Sequence, residues 1–251
     1  MASELIGPRT AIVTGGARRI GAELTRSLAT DGWHVLIHCN RSLAEAEALA
    51  AEVGNAGLVK AKLADPDCAE RIMAALDGLP PARLLVNNAS RFVHDDARDF
   101  TVAGWDAHLD VNLRAPALLS RAFAARVGDG PGLIVNLLDA KLAAPNPDFF
   151  SYTVSRFGLA GLTELTARAF APAIRVCAIA PSVTLVSGPQ SRANFEAVHD
   201  LNALRRGVDV ADIVRALRFI VDTPTLTGQT IVIDGGARFL SLARDVQFVE
   251  T

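Results

Sequence analysis

The chain has 251 residues, half of them hydrophobic and 21% charged, with a formal net charge of −2. So even a balance offers no basic field for nucleic acid or an anionic membrane, and no apolar run reaches the roughly 20 residues of a membrane span. Cys39, Cys68 and Cys177 are scattered and odd in number, which fits neither a disulfide framework nor metal-ligand spacing, so no metal is expected.

Residues 1–5 lack a basic-then-apolar leader pattern, so a cytoplasmic location is expected. From there apolar runs alternate with amphipathic stretches. A strand is predicted over 10–13 and a helix over 20–30, the latter carried by Ile20, Leu24 and Leu28. Between them lie glycines at 15, 16 and 21 and the arginines Arg18 and Arg19. Glycines at a strand–turn–helix junction permit close backbone approach. The free N–H groups of the helix start then form an anion site suited to a pyrophosphate.

Asp31-Gly32 ends this helix. Strands follow over 34–38, 58–63 and 84–87, with helices over 43–53 and 66–76 between them. A long helix is predicted over 104–127, a strand over 133–138, a helix over 151–170 and a strand over 174–179. A helix from Asp209 to Val221 and a strand over 230–233 complete the series.

These strands are continuously apolar rather than alternating, the pattern of strands covered on both faces. The fold expected is one α/β domain over 1–251, a Rossmann-type doubly wound parallel seven-stranded sheet with helices on both faces. The irregular stretch 182–206 falls beyond the carboxyl ends of the strands, where ligands bind in such sheets, and is expected to act as a substrate lid. The tail, 237–251, is too apolar to be free and is expected to pack on a neighbouring subunit or on its own.

Sites of this kind that take NAD carry an acid after the second strand, for the ribose 2′-hydroxyl. Here that stretch has none and offers His38, Asn40, Arg41 and Ser42, with Arg18 of the turn close by. Donors without an acid suit a 2′-phosphate, so NADP(H) is the cofactor expected.

The only tyrosine, Tyr152, opens the helix after the fifth strand, with Asp139 thirteen residues before it and Arg156 one helical turn after it. A cation at that spacing is expected to lower the phenol pKa, making Tyr152 the proton donor to a carbonyl or imine that receives hydride. Asn112 in the long helix and Asn87-Asn88-Ala89-Ser90 after the fourth strand join the candidate site.

Together these motifs resemble the short-chain dehydrogenase/reductase family over about 10–236. That family is marked by T-G-x-x-x-G-x-G, N-N-A-G, a helix-four Asn, a Ser before Y-x-x-x-K, and P-G after strand six. The chain departs from it with Arg19 for the middle Gly, Ser90 for the last Gly, Asp139 for the Ser and Ser182 after Pro181. The first three departures are similar to the pteridine reductases and the dihydromonapterin/dihydrofolate reductases, as are the stretch His38–Ser42 and Ile179-Ala180-Pro181-Ser182.

The resemblance implies cofactor contacts from Gly15, Arg18, Arg19, Ile20, Gly21, Asn88, Ala89, Ser90, Tyr152, Arg156, Pro181 and Ser182. It implies a pterin stacked on Phe92, a substrate or Tyr152 contact from Asp139, a double role for Arg19 toward phosphate and substrate, and a homotetramer. Arg156 stands where the family has a lysine that relays protons, which a guanidinium is too basic to do. The relay would then run through ribose, water and Asn112. Lys62 stands where the family has an adenine-contacting Asp, with Asp65 nearby. Three functions stay open: NADPH-dependent reduction of a pterin or dihydrofolate-like C=N bond, reduction of another small carbonyl compound, and cofactor binding without turnover.

Overall fold

Along the central strands, successive side chains enter two different cores. Ala11, Val13, Val35, Ile37, Leu84, Val86, Leu133 and Val135 pack on one face, and Ile12, Leu36, Leu85, Ile134 and Val176 on the other. Because side-chain direction alternates along a strand, a strand covered on both sides must be apolar at every position. The computed structural model describes residues 7–188 and 190–249.

Its sheet has seven parallel strands in the order β3-β2-β1-β4-β5-β6-β7. These are β1 (Thr10–Val13), β2 (His34–Cys39), β3 (Ala56–Lys60), β4 (Ala82–Asn87), β5 (Gly132–Leu137), β6 (Ile174–Pro181) and β7 (Thr230–Ile233). On the first face lie α1 (Arg19–Thr30), α2 (Leu43–Val53) and α8 (Val210–Asp222), anchored by Leu24, Leu49 and Ile213. On the second lie α3 (Cys68–Ala74), α5 (Ala115–Val127) and α6 (Phe150–Phe170), anchored by Ile72, Phe123 and Ala167. Strand order reverses between β1 and β4, the switch point at which such sheets open a crevice. No helix among the described residues is long and apolar enough to cross a membrane.

Element boundaries differ most from the sequence expectation at β3, α3 and the long helix. β3 starts at Ala56, not 58, because the chain leaving Gly54 pairs at once with Val35. It ends at Lys60, and Ala61 and Leu63 turn into the core beneath α3. α3 is shorter than 66–76, since turns bonded to Lys62 and Asp65 occupy its expected start.

The predicted helix 104–127 is in fact interrupted. α4 (Val102–Leu109) begins two residues earlier, where Thr101 Oγ1 accepts a hydrogen bond from Gly104 N at 3.0 Å. A π-helical turn, Asp110–Arg114, then precedes α5. Pro116 lacks the N–H that would bond the Asn112 carbonyl one turn back, and the helix widens just before it.

Finally, the stretch 182–206 is not irregular throughout. It contains α7 (Arg192–Val198), capped by Ser191 Oγ, which accepts from Asn194 N at 3.1 Å.

Candidate active site

A cavity of about 950 Å³ opens at the carboxyl ends of β1, β2, β4, β5 and β6, with residues of the segment 242–247 in its lining. Its floor is the glycine turn after β1. Gly15 adopts φ +61°, and a methyl group there would press on Ala89 and Asn88 at 3.2–3.3 Å. At Gly21 a methyl group would strike the Gly15 carbonyl oxygen. Arg19, in the slot between them, holds φ +54°, the left-handed region where glycine is at ease and other residues are strained. Its guanidinium donates to Ser187 Oγ at 3.1 Å, tying the turn to the loop after β6.

The groups flanking the turn hold it in shape. Asn88 Nδ2 donates to the Thr14 and Gly15 carbonyls at 2.8 and 3.2 Å, and Thr14 Oγ1 accepts from the N–H groups of Asn88 and Ala89. Their side-chain or N–H donors are therefore engaged within the protein, although both residues line the cavity.

His38 corrects the sequence reading. It was expected to donate to a 2′-phosphate, yet it is buried and both ring nitrogens are committed: Nδ1 accepts from Gly15 N at 3.1 Å, and Nε2 donates to the Ala61 carbonyl at 3.0 Å. Burial opposes the imidazolium and pushes the His38 pKa down to about 4, so the ring carries no charge for an anion. Asn40 and Arg41 remain exposed and Ser42 half-buried at the cavity edge, with no acid in that stretch. Arg18 is shared, since Glu45 of α2 lies 3.6 Å from it in an exposed pair of little strength. Lys62 pairs with Asp65 at 3.5 Å.

At the other end of the cavity Tyr152 and Asp139 meet. The Tyr152 hydroxyl donates to Asp139 Oδ2 at 2.7 Å, and Asp139 Oδ1 accepts from Lys141 N at 2.8 Å. Arg156, only 3% exposed, places its guanidinium carbon 5.1 Å from the Tyr152 ring centre and donates from Nη1 to the Leu137 carbonyl. Its Nε has no hydrogen-bond partner among the described residues.

The expected lowering of the Tyr152 pKa is not what this surrounding produces. Burial raises it, the Asp139 carboxylate raises it further, and Arg156 offsets only part of both. Burial likewise raises Asp139, against the opposing hydrogen bonds from Tyr152 and Lys141 N. The phenol therefore holds its proton in this surrounding.

Asn112 also departs from expectation. It is fully buried, outside the cavity lining, and its side chain clamps the Arg91 backbone through both N–H and carbonyl, at 2.8 and 2.9 Å. Its Nδ2 also donates to Ser155 Oγ at 3.0 Å. With both amide hydrogens engaged, the side chain fixes the strand-β4 exit rather than relaying a proton. Next along that exit, Phe92 stacks on Phe149 with centroids 4.2 Å apart and meets Tyr152 edge-on at 4.7 Å. Ser90 is exposed at the cavity edge, and Pro181 and Ser182 close it from β6.

Sequence reasoning missed Phe149, Lys141 and the tail residues that line or back the cavity. Phe149 takes φ +55°, which no propensity rule assigns to an aromatic residue. The tail docks on its own chain, with Arg244 and Asp245 bonded to Asp148.

The pattern of the family described as short chain dehydrogenase matches residues 9–196. The crystal structure of FolM alternative dihydrofolate reductase 1 from Brucella canis complexed with NADP is 39% identical, at a TM-score of 0.90 over 94% of this chain and 96% of that one. The corresponding Brucella suis structure, also with NADP, is 40% identical, at 0.88 over 92% and 95%. L-xylulose reductase of Mesocricetus auratus is 30% identical over 91% of this chain and 96% of its own. The chain belongs to the short-chain dehydrogenase family, and within it is similar in fold and sequence to the FolM alternative dihydrofolate reductases.

Proposed function

We propose that this oxidoreductase is an NADP(H)-dependent reductase of a pterin or dihydrofolate-like C=N bond, with Tyr152 as proton donor. The observation that carries the reading is the Tyr152–Asp139 hydrogen bond of 2.7 Å beside Phe92, inside the cavity. A flat heteroaromatic ring gains roughly 0.5–1.5 kcal/mol from an aromatic neighbour beyond area burial. Reduction of C=N also requires a proton at nitrogen, which a protonated phenol backed by a carboxyl group can deliver.

The cradle fits a dinucleotide, because the glycine turn and the first residues of α1 line the cavity and offer it the free N–H groups of a helix start. Gly15, Ile20 and Gly21 would hold its pyrophosphate, and Arg18, Asn40, Arg41 and Ser42 a 2′-phosphate; both Brucella relatives were crystallised with NADP. The cofactor, when bound, supplies the hydride. Arg156 would hold the nicotinamide end with the guanidinium hydrogens left over from Leu137, and Asn112 positions Phe92 through the Arg91 backbone.

A homotetramer accompanies this reading. Phe157 and Leu165 stand exposed on α6, and Phe219 and Val232 on α8 and β7, which is the kind of surface that subunits cover.

The likeness to L-xylulose reductase favours a second reading, reduction of a small carbonyl compound. The test is loss of NADPH absorbance with dihydromonapterin, dihydrobiopterin or dihydrofolate against simple ketones, sugars and quinones. Turnover confined to the pterins is expected. Turnover confined to carbonyls selects the second reading, and NADPH binding with no turnover selects a binding protein.

A further inference from the structure

Part of the cavity wall comes from the end of the chain. Leu242, Arg244, Asp245, Val246 and Gln247 all line it. The carboxylate of Asp148, whose side chain is 7% exposed, binds two of them directly. Asp148 accepts from Arg244 Nε at 2.8 and 3.0 Å and from Asp245 N at 2.7 Å. Its backbone carbonyl accepts from Lys141 Nζ at 2.6 Å, and the same ammonium group pairs with Asp245 Oδ2 at 3.2 Å.

Two connections run from this clamp to the reacting groups. Lys141 N is the donor that fixes Asp139. Phe149, next in sequence to Asp148, lies between Phe248 of the tail, with centroids 6.0 Å apart, and Phe92, at 4.2 Å, and Phe92 in turn meets Tyr152. The wall also carries Gln247, whose Oε1 has no hydrogen-bond partner among the described residues.

We propose that residues 242–248 form part of the substrate site of their own chain, and that Asp148 is a positioning residue that locks them there. Asp148 itself is not among the cavity-lining residues, so it acts through the tail, Lys141 and the Phe92–Phe149–Phe248 stack. The identity of the occupant rests on the function proposed above; the clamp does not. Among the described residues, none of the clamp's hydrogen-bond partners belongs to the Gly15–Gly21 turn, so loss of the clamp acts on the second substrate and spares the cofactor.

The test uses the full-length chain with NADP⁺ and compares the wild type with Asp148→Asn, Arg244→Ala and the conservative Arg244→Lys. Hydrogen exchange of amides 242–249 reads the clamp directly. Asp148→Asn and Arg244→Ala are expected to speed that exchange and to raise KM for the second substrate about tenfold while NADPH affinity stays within about twofold. Arg244→Lys is expected to recover most of the loss. Unchanged exchange, or a KM that does not move in a variant whose exchange does, overturns the proposal. Protection that disappears on dilution overturns it too, because the segment would then belong to a neighbour. If the wild type reduces carbonyls and not pterins, the function proposed above fails, and the same KM comparison is made with the carbonyl.

Discussion

Tyr152 faces a balance of three influences, and the balance determines its chemistry. Burial and Asp139 favour the phenol, Arg156 the phenolate, and the first two prevail. Tyr152→Phe is therefore expected to lower kcat by about 10²–10⁴-fold, with NADPH affinity nearly unchanged by fluorescence titration. His38 gives a second prediction with a definite sign. Its folded pKa of about 4 lies below the ordinary value of 6.5, so its contribution to stability is present above pH 6.5 and lost as pH falls toward 4. Over that window thermal stability and NADPH affinity should both decline, by on the order of 3 kcal/mol in stability at the limit. A melting temperature constant from pH 7 to 4 would refute it. The pairing of Tyr152 with Asp139 was legible in their spacing and their place after β5. The direction of the pKa was not, since it depends on burial by distant segments, and neither was the inward turn of His38.

The helices and strands were legible wherever apolar residues recur with one period. Leu24 and Leu28 mark α1, and the unbroken run of β5 marks a strand with two covered faces. The π-helical turn escaped notice because Pro116 alone hints at it, and α7 because its seven residues carry only a Ser cap as signal. The glycine turn is the element with least tolerance. Gly21→Ala places a methyl group against the Gly15 carbonyl and 2.7 Å from Asn88 Nδ2. It should cost about 1–3 kcal/mol of stability, as overpacking does, and abolish NADPH binding measured by calorimetry.

Across the whole molecule, the crevice follows from strand order, and strand order from short right-handed connections between apolar strands. That part of the architecture was visible in the alternation of elements. The tail wall was not, because its residues lie far in sequence from Asp148 and Phe149, to which ion pairs and rings that have no period join them. Assembly is testable at this scale. Leu165, 67% exposed on α6, should be covered in a tetramer, so Leu165→Glu is expected to yield smaller species by analytical ultracentrifugation with the monomer fold intact by circular dichroism. An unchanged sedimentation coefficient would place the interface elsewhere.

The left-handed backbone of Arg19 carries a consequence for how such a protein can change over generations. A residue other than glycine in that conformation costs about 1–2 kcal/mol, so Arg19→Gly should raise the melting temperature while cutting the tie to Ser187. Selection for robustness alone would favour that replacement. A thermostable Arg19→Gly variant with relaxed substrate discrimination would display the backbone cost and the value of the tie to the loop separately.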